Sequence, residues 1–156
     1  MGYLIASVTG SGSIDHSTLF RIQLIEFGFE LFEQHPITGV GIGCTHVLVN
    51  QKFGVDVYLH NNYVELLAGG GLIAFIIFYS IHFIILRTIL LYRGMKDEHN
   101  RIVLIIMISL FITDLASGTY YSKETFFMLM ICYIHAESLK KKVLLTEKKN
   151  TRKGMI

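Results

Sequence analysis

From Leu72 to Tyr92 the chain reads LIAFIIFYSIHFIILRTILLY, 21 residues interrupted by polar side chains only at Ser80, His82, Arg87 and Thr88. About 20 helical residues, each rising about 1.5 Å, cross a bilayer core. Arg87 stands near the end of the run, where its stem reaches toward the headgroups. The pattern predicts a spanning helix over 72–92. Two shorter apolar runs follow, Ile102–Ala116 and Phe126–Ala136, the second flanked by Lys123 and Lys140. Each alone is shorter than a comfortable span, and a pair of buried helices of a soluble domain is the competing reading. Their flanks (Thr119–Tyr121, Glu137–Leu139) bring them near spanning length, and a soluble fold leaves the first run nowhere dry to go. The expected spans are therefore 72–92, 102–118 and 123–139.

Ahead of Leu72 the periodicity changes. Ser17 to Gln34 repeats as a helix, with Asp15 or Ser17 as N-cap and His35-Pro36 as the stop. Gln23, Glu26, Glu30, Glu33 and Gln34 fall in one arc. Phe20, Leu24, Ile25, Phe27, Gly28, Leu31 and Phe32 fall in the other, with Arg21 among them. A guanidinium on an apolar face either meets an anion or snorkels or pairs elsewhere in the protein, because an unpaired buried charge costs several kcal/mol. A second short helix, capped by Asn61 or Asn62, runs to Ala68, with Asn62 and Glu65 at capping-box spacing. Gly69-Gly70-Gly71 breaks it before the span. Met1–Val8 (MGYLIASV) has no basic n-region and no cleavage signal, so it is not a signal peptide; it reads as the tail of a helix that begins upstream.

Composition supports the membrane reading. Of 156 residues, 52% are hydrophobic and 17% charged, with a mean hydropathy of +0.51; soluble domains carry about 25% charged residues. A net charge of +2 implies no nucleic-acid partner. Cys44 and Cys132 form no CxxC pair, so a disulfide scaffold or Cys-rich zinc module is not indicated. Cys44-Thr45-His46 lacks partner spacing for a metal. The charges are sided. Arg93, Lys96 and Arg101 lie between the first two spans; Lys140, Lys141, Lys142, Lys148, Lys149, Arg152 and Lys153 follow the third. Both clusters belong on the cytoplasmic face. Residues 13–71 then lie outside, with Arg21 and Lys52 against Asp15, Glu26, Glu30, Glu33, Asp56 and Glu65. The expected fold is an all-α, polytopic membrane protein with about three spans and a large extracytoplasmic loop carrying short helices. Residues 1–12 close an upstream span or its linker, 13–71 form the loop, 72–139 the spans and 140–156 a basic cytoplasmic tail.

Candidate chemistry concentrates in the loop. In Pro36–Gly43 (PITGVGIG) the glycines Gly39, Gly41 and Gly43 alternate, allowing sharp turns and close backbone approach; the spacing matches no nucleotide-binding fingerprint. His60 stands at a helix start, where imidazolium is disfavoured, so it is either a base near neutral pH or a structural hydrogen-bonder. His82 and His135, inside spans, read as packed or hydrogen-bonded between helices. Asp114 should face the interior or the outer mouth. Tyr120, Tyr121 and Lys123 border the outer hairpin, as an interfacial belt or as a cleft edge.

In order, the chain offers an arginine in a loop helix, HPITGVGIG, and HNNYVELLAGGGLIAF running into a span. This composite resembles the O-antigen ligase and polymerase family of bacterial membrane glycosyltransferases. The ligase-type signature is His, then Asn, Ser or Gln, nine residues, Gly, two residues, then Gly, Thr or Tyr. His60, Asn61 and Gly71 fit it, and Ala74 departs at the last position. The resemblance covers Ile14–Tyr92, and the last two spans in topology only. It implies a multi-pass protein of the bacterial plasma membrane that moves glycan from an undecaprenyl-diphosphate-linked oligosaccharide to an acceptor hydroxyl, without metal or cofactor. In that reading His60 is the base, Arg21 meets the diphosphate, and Asn61, Gly39, Gly41, Gly43 and Gly71 belong to the substrate site. N-terminal transmembrane helices upstream would complete the pocket. Polymerisation of capsular or exopolysaccharide repeat units is the favoured activity. Ligation to a lipid or protein acceptor, or a non-enzymatic membrane subunit or transporter piece, are the alternatives.

Overall fold

The computed structural model describes residues 16–92 and 97–153, with side chains through Thr151. The expectations for Met1–Val8, Asp15, Arg93 and Lys96 fall outside the described residues. Among the described residues the chain is all-helical: α1 (His16–Gln34), α2 (Thr45–Phe53), α3 (Asn62–Tyr92), α4 (Glu98–Asp114) and α5 (Lys123–Lys153).

α3 is the spine, touching each of the other four helices. Its first half packs with α1 and α2 around Leu24, Phe27, Leu31, Val49, Leu59, Val64 and Ala68. Its second half packs with α4 and α5 around Ile85, Ile89, Val103, Met107, Leu129, Cys132 and Ala136. α1 follows its sequence pattern: Leu24, Phe27, Gly28 and Leu31 are buried, and Glu26, Glu30 and Glu33 are exposed. Gly28 is required by close packing, since a Cβ there would stand 2.3 Å from Val64 Cγ1 and 2.7 Å from Leu59 Cδ1. α2 ends on Gly54 in the left-handed conformation, the usual solution at a helix C-terminus. α4 is capped by Asp97, whose carboxylate accepts the His99 N–H at 3.0 Å.

At the junction of the two cores α3 is broken, and the break lies at Gly71 alone, with φ 63° and ψ −164°. In an unbroken helix the N–H groups of Leu72 and Ile73 would bond the carbonyls of Ala68 and Gly69. Instead they donate to Pro36 O at 2.9 Å and Ile37 O at 3.3 Å. The freed carbonyls accept from Val40 N at 2.9 Å and Gly41 N at 2.8 Å. The glycine segment thus replaces the missing turn, bond for bond. The close approach expected of Gly39 and Gly41 is an approach to this break. A Cβ on Gly39 would lie 2.4 Å from the Gly69 carbonyl, and one on Gly71 2.3 Å from Ile37 O.

Four expectations change. Of the three expected spans, one helix among the described residues, Asn62–Tyr92, is long and apolar enough to cross a membrane. α4 starts before residue 102 and stops at Asp114 rather than 118, because Leu115 and Ala116 turn back onto Ile112 and Thr113. α5 continues through the basic segment to Lys153 rather than ending at 139. The Asn62–Glu65 capping box is not formed: Asn61 caps α3, its Oδ1 accepting Val64 N–H at 3.1 Å, and both other side chains are bonded elsewhere.

Candidate functional site

His60 closes the extended stretch between Gly54 and α3. Its backbone φ of 54° makes it the one non-glycine residue with positive φ among the described residues, a conformation costing about 1–3 kcal/mol that tertiary contacts must offset. Those contacts are nearby. Leu59 is fully buried beneath it, and Asn61 both caps α3 and donates to Leu115 O at 3.2 Å. The Tyr58 ring lies 4.4 Å from the imidazole, tilted by 42°. Burial lowers the His60 pKa below its ordinary 6.5; the positive charge of Arg21 lowers it further, and the Glu65 carboxylate opposes both. The ring is therefore held neutral near neutral pH.

Arg21 sits one turn ahead of Leu24 and two ahead of Gly28 on the α1 face that meets Leu59 and Val64. Its charge is felt at His60. Among the described residues no anion meets it: Arg21 is exposed and makes no ion pair or hydrogen bond with them. Of the α1 acids, Glu30 pairs with Lys52 at 2.6 Å, and the Lys52 ammonium also rests 4.2 Å over the Phe27 ring.

Glu65 is 3% exposed, and its carboxylate is satisfied by the Leu59 N–H at 2.8 Å and by the Thr45 hydroxyl. It ties α2, the stretch before His60 and α3 together. Beside it opens a cavity of about 510 Å³ lined by Thr45, His46, Asp56, Tyr58, Tyr120 and Tyr121, with Gly43 and Glu65 also on its wall. A second, apolar groove of about 360 Å³ runs past Leu66, Gly70, Ile73 and Ile77 and shares Ile42 and Tyr120 with the first.

Behind the site lies a buried polar relay. Asn62 donates to Tyr79 Oη at 3.1 Å, and its Oδ1 accepts the N–H groups of Thr119 and Tyr120, each at 2.8 Å. Tyr79 donates to Asp114 Oδ2 at 2.8 Å, and the Thr119 hydroxyl donates to Asp114 Oδ1. Asp114 faces the interior, as expected, and this relay fixes the α4–α5 hairpin onto the start of α3. His135 bonds between helices, to Asn100 Oδ1 at 2.8 Å. His82 bonds within its own helix, to Phe78 O at 3.3 Å.

The sequence-predicted residues therefore separate. His60 and Arg21 are near enough to feel each other's charge. Gly39, Gly41 and Gly71 form the break joint, Gly43 borders the cavity, and Asn61 holds the helix start. Sequence reasoning missed Glu65, Tyr58 and Asn62 as site-builders. A carboxylate and two amides within six residues of a candidate base were the available signal. Among the described residues no group of three His, Cys, Asp or Glu is placed to hold a metal ion.

The O-antigen ligase family model matches residues 4–79, a stretch that carries α1, the glycine segment, α2 and α3 as far as Tyr79. That stretch is similar to the O-antigen ligase family, and the likeness points to membrane association, a glycosyltransferase-type activity and lipid-linked oligosaccharide substrates. No curated protein and no solved structure matches the chain.

Proposed function

We propose that the protein transfers glycan from an undecaprenyl diphosphate carrier to a sugar hydroxyl, polymerising surface polysaccharide repeat units. The observation that carries this is the electrostatic proximity of a free guanidinium, Arg21, and a neutral imidazole, His60, within the family-matched stretch. His60 accepts the acceptor hydroxyl proton as that oxygen attacks the anomeric carbon. The carbon–oxygen bond to the diphosphate breaks, and the pair of electrons leaves with the carrier. Arg21 neutralises the departing charge through paired hydrogen bonds. One displacement of this kind inverts the anomeric centre and needs no metal. Asn61, Gly39, Gly41, Gly43 and Gly71 serve the substrate site by holding its backbone shape. The apolar groove beside the cavity fits the first units of a prenyl chain.

We also infer three spans, with residues 13–71 extracytoplasmic and the C-terminus cytoplasmic in a bacterial plasma membrane. Ile77, Phe83, Ile105, Ile112, Phe127 and Ile134 all point outward from α3–α5 and are more than half exposed, a surface suited to lipid rather than water. The test is His60→Ala in the producing cell. Loss of polymer with normal membrane insertion is expected; polymer of normal length would overturn the base assignment and favour a non-enzymatic subunit. An O-antigen ligase remains the second reading within the family, and polymer made but left unattached to its lipid acceptor in the variant would favour it.

A further inference from the structure

The 510 Å³ cavity has a lining unlike that of a phosphate site. Among the described residues no lysine or arginine lines it. Three tyrosines from two distant segments converge there instead. Tyr58 and Tyr121 meet edge to face with centroids 6.4 Å apart at 79°, and Tyr120 meets Tyr121 at 5.1 Å and 86°. Edge-to-face packing does not spend both faces of each ring on its partner, and Tyr121 remains 56% exposed. The arrangement is built, not incidental. Gly118 is buried between the rings, and a Cβ there would stand 3.2 Å from Tyr121 Cε1 and 3.3 Å from Tyr58 Cδ2. Burial raises the pKa of both Tyr120 and Tyr121, with the Glu65 charge adding to it, so both hydroxyls stay protonated as donors. Around the rings stand His46, Asp56 and the Thr45–Glu65 pair.

We propose that this cleft is the acceptor-glycan subsite of the transferase. A pyranose presents a face of C–H bonds and a rim of hydroxyls. Tyrosine faces take the first, while Asp56, His46 and the tyrosine hydroxyls take the second. The volume lies within the range of about 300–1,000 Å³ typical of small-ligand pockets, enough for a short oligosaccharide. Tyr58 is the hinge of the argument: one contact is to the His60 imidazole and another to Tyr121. A sugar seated on the tyrosines therefore ends beside the base, while Arg21 keeps the carrier's diphosphate on the α1 side. Chemistry is divided accordingly, with the aromatic wall and its carboxylates holding the nucleophile and Arg21 holding the leaving group. The proposal rests on the transferase reading above.

Saturation-transfer NMR on the full chain in detergent tests it, using as probe the repeat-unit oligosaccharide released from the producing cell's own polysaccharide. Wild type should show saturation transfer, Tyr121→Phe, which keeps the ring face and loses one rim donor, should bind about twofold more weakly, and Tyr121→Ala should bind about tenfold more weakly. Tyr121 is exposed, so its truncation leaves the fold intact, and an unchanged thermal midpoint checks this. Equal binding by Tyr121→Ala and wild type would overturn the subsite, as would absence of saturation transfer in wild type. If His60→Ala still transferred glycan while binding depended on Tyr121, the base assignment would fall and the subsite would stand.

Discussion

The Ile37 carbonyl oxygen stands 2.3 Å from the position a Cβ on Gly71 would occupy. The two residues belong to segments more than thirty positions apart in the chain, yet the break in α3 exists only because they can touch. Left-handed φ at Gly71 and at Gly39 opens the helix, and the inserted segment restores all four backbone bonds. In a protein bordering lipid this restoration is obligatory, since unpaired amides there cost several kcal/mol each.

Gly71→Ala and Gly39→Ala should each destabilise the protein by about 2–4 kcal/mol, from strain and backbone overlap combined. Gly43→Ala meets open space and should lose only about 1 kcal/mol for its positive φ. Thermal midpoints in detergent check the order. Equal losses at Gly43 and Gly71 would refute the joint.

Asn62→Ala leaves the Thr119 and Tyr120 amides and the Tyr79 hydroxyl short of partners, and should cost about 2–5 kcal/mol. Asn61→Ala removes a helix cap and should cost about 1 kcal/mol. Denaturation of the two variants side by side measures the difference.

The transfer rate should follow the neutral form of His60. Because its pKa lies below 6.5, kcat/KM should hold steady down to that pH and fall only on the acid side of it. Removing the Arg21 charge relieves one of the forces disfavouring imidazolium, so the acid limb of Arg21→Gln should move to higher pH. Arg21→Lys keeps the charge and should leave the limb in place while lowering the rate, because paired hydrogen bonds are lost. A pH–rate profile of the three proteins decides the matter.

Sidedness has a direct readout. Lys52→Cys, in a background without Cys44 and Cys132, should label in intact cells with an impermeant maleimide. Lys148→Cys should label only after permeabilisation, and Ile77→Cys and Phe127→Cys should resist aqueous reagent in both. Reversed labelling would invert the proposed topology.

Much of this was legible in the chain because local rules governed it. The α1 faces followed from a 3.6-residue period, and the span after Leu72 from sheer apolar length. His60 stood out because Asn61 and Gly71 keep the signature spacing behind it. What the chain hid was long-range. Glu65 reads as a capping-box acid until Thr45 and Leu59 claim it, and Asn62 reads as a cap until the hairpin reaches it from fifty-seven residues away. For Arg21 the sequence left an anion site and a structural pairing open, and the fold leaves it exposed with its charge felt at His60. The glycine segment signalled closeness without naming its target, because its mate lies past an intervening helix and the extended stretch that follows it.

α5 carries no proline and no glycine before Lys153, so its 31 residues form one rod of roughly 46 Å. Its first turn adjoins Tyr121 and its last turns bear the lysines. The tyrosine-bordering end and the lysine-bearing end are therefore the two ends of one continuous element, longer than the roughly 30 Å of a bilayer's hydrocarbon core.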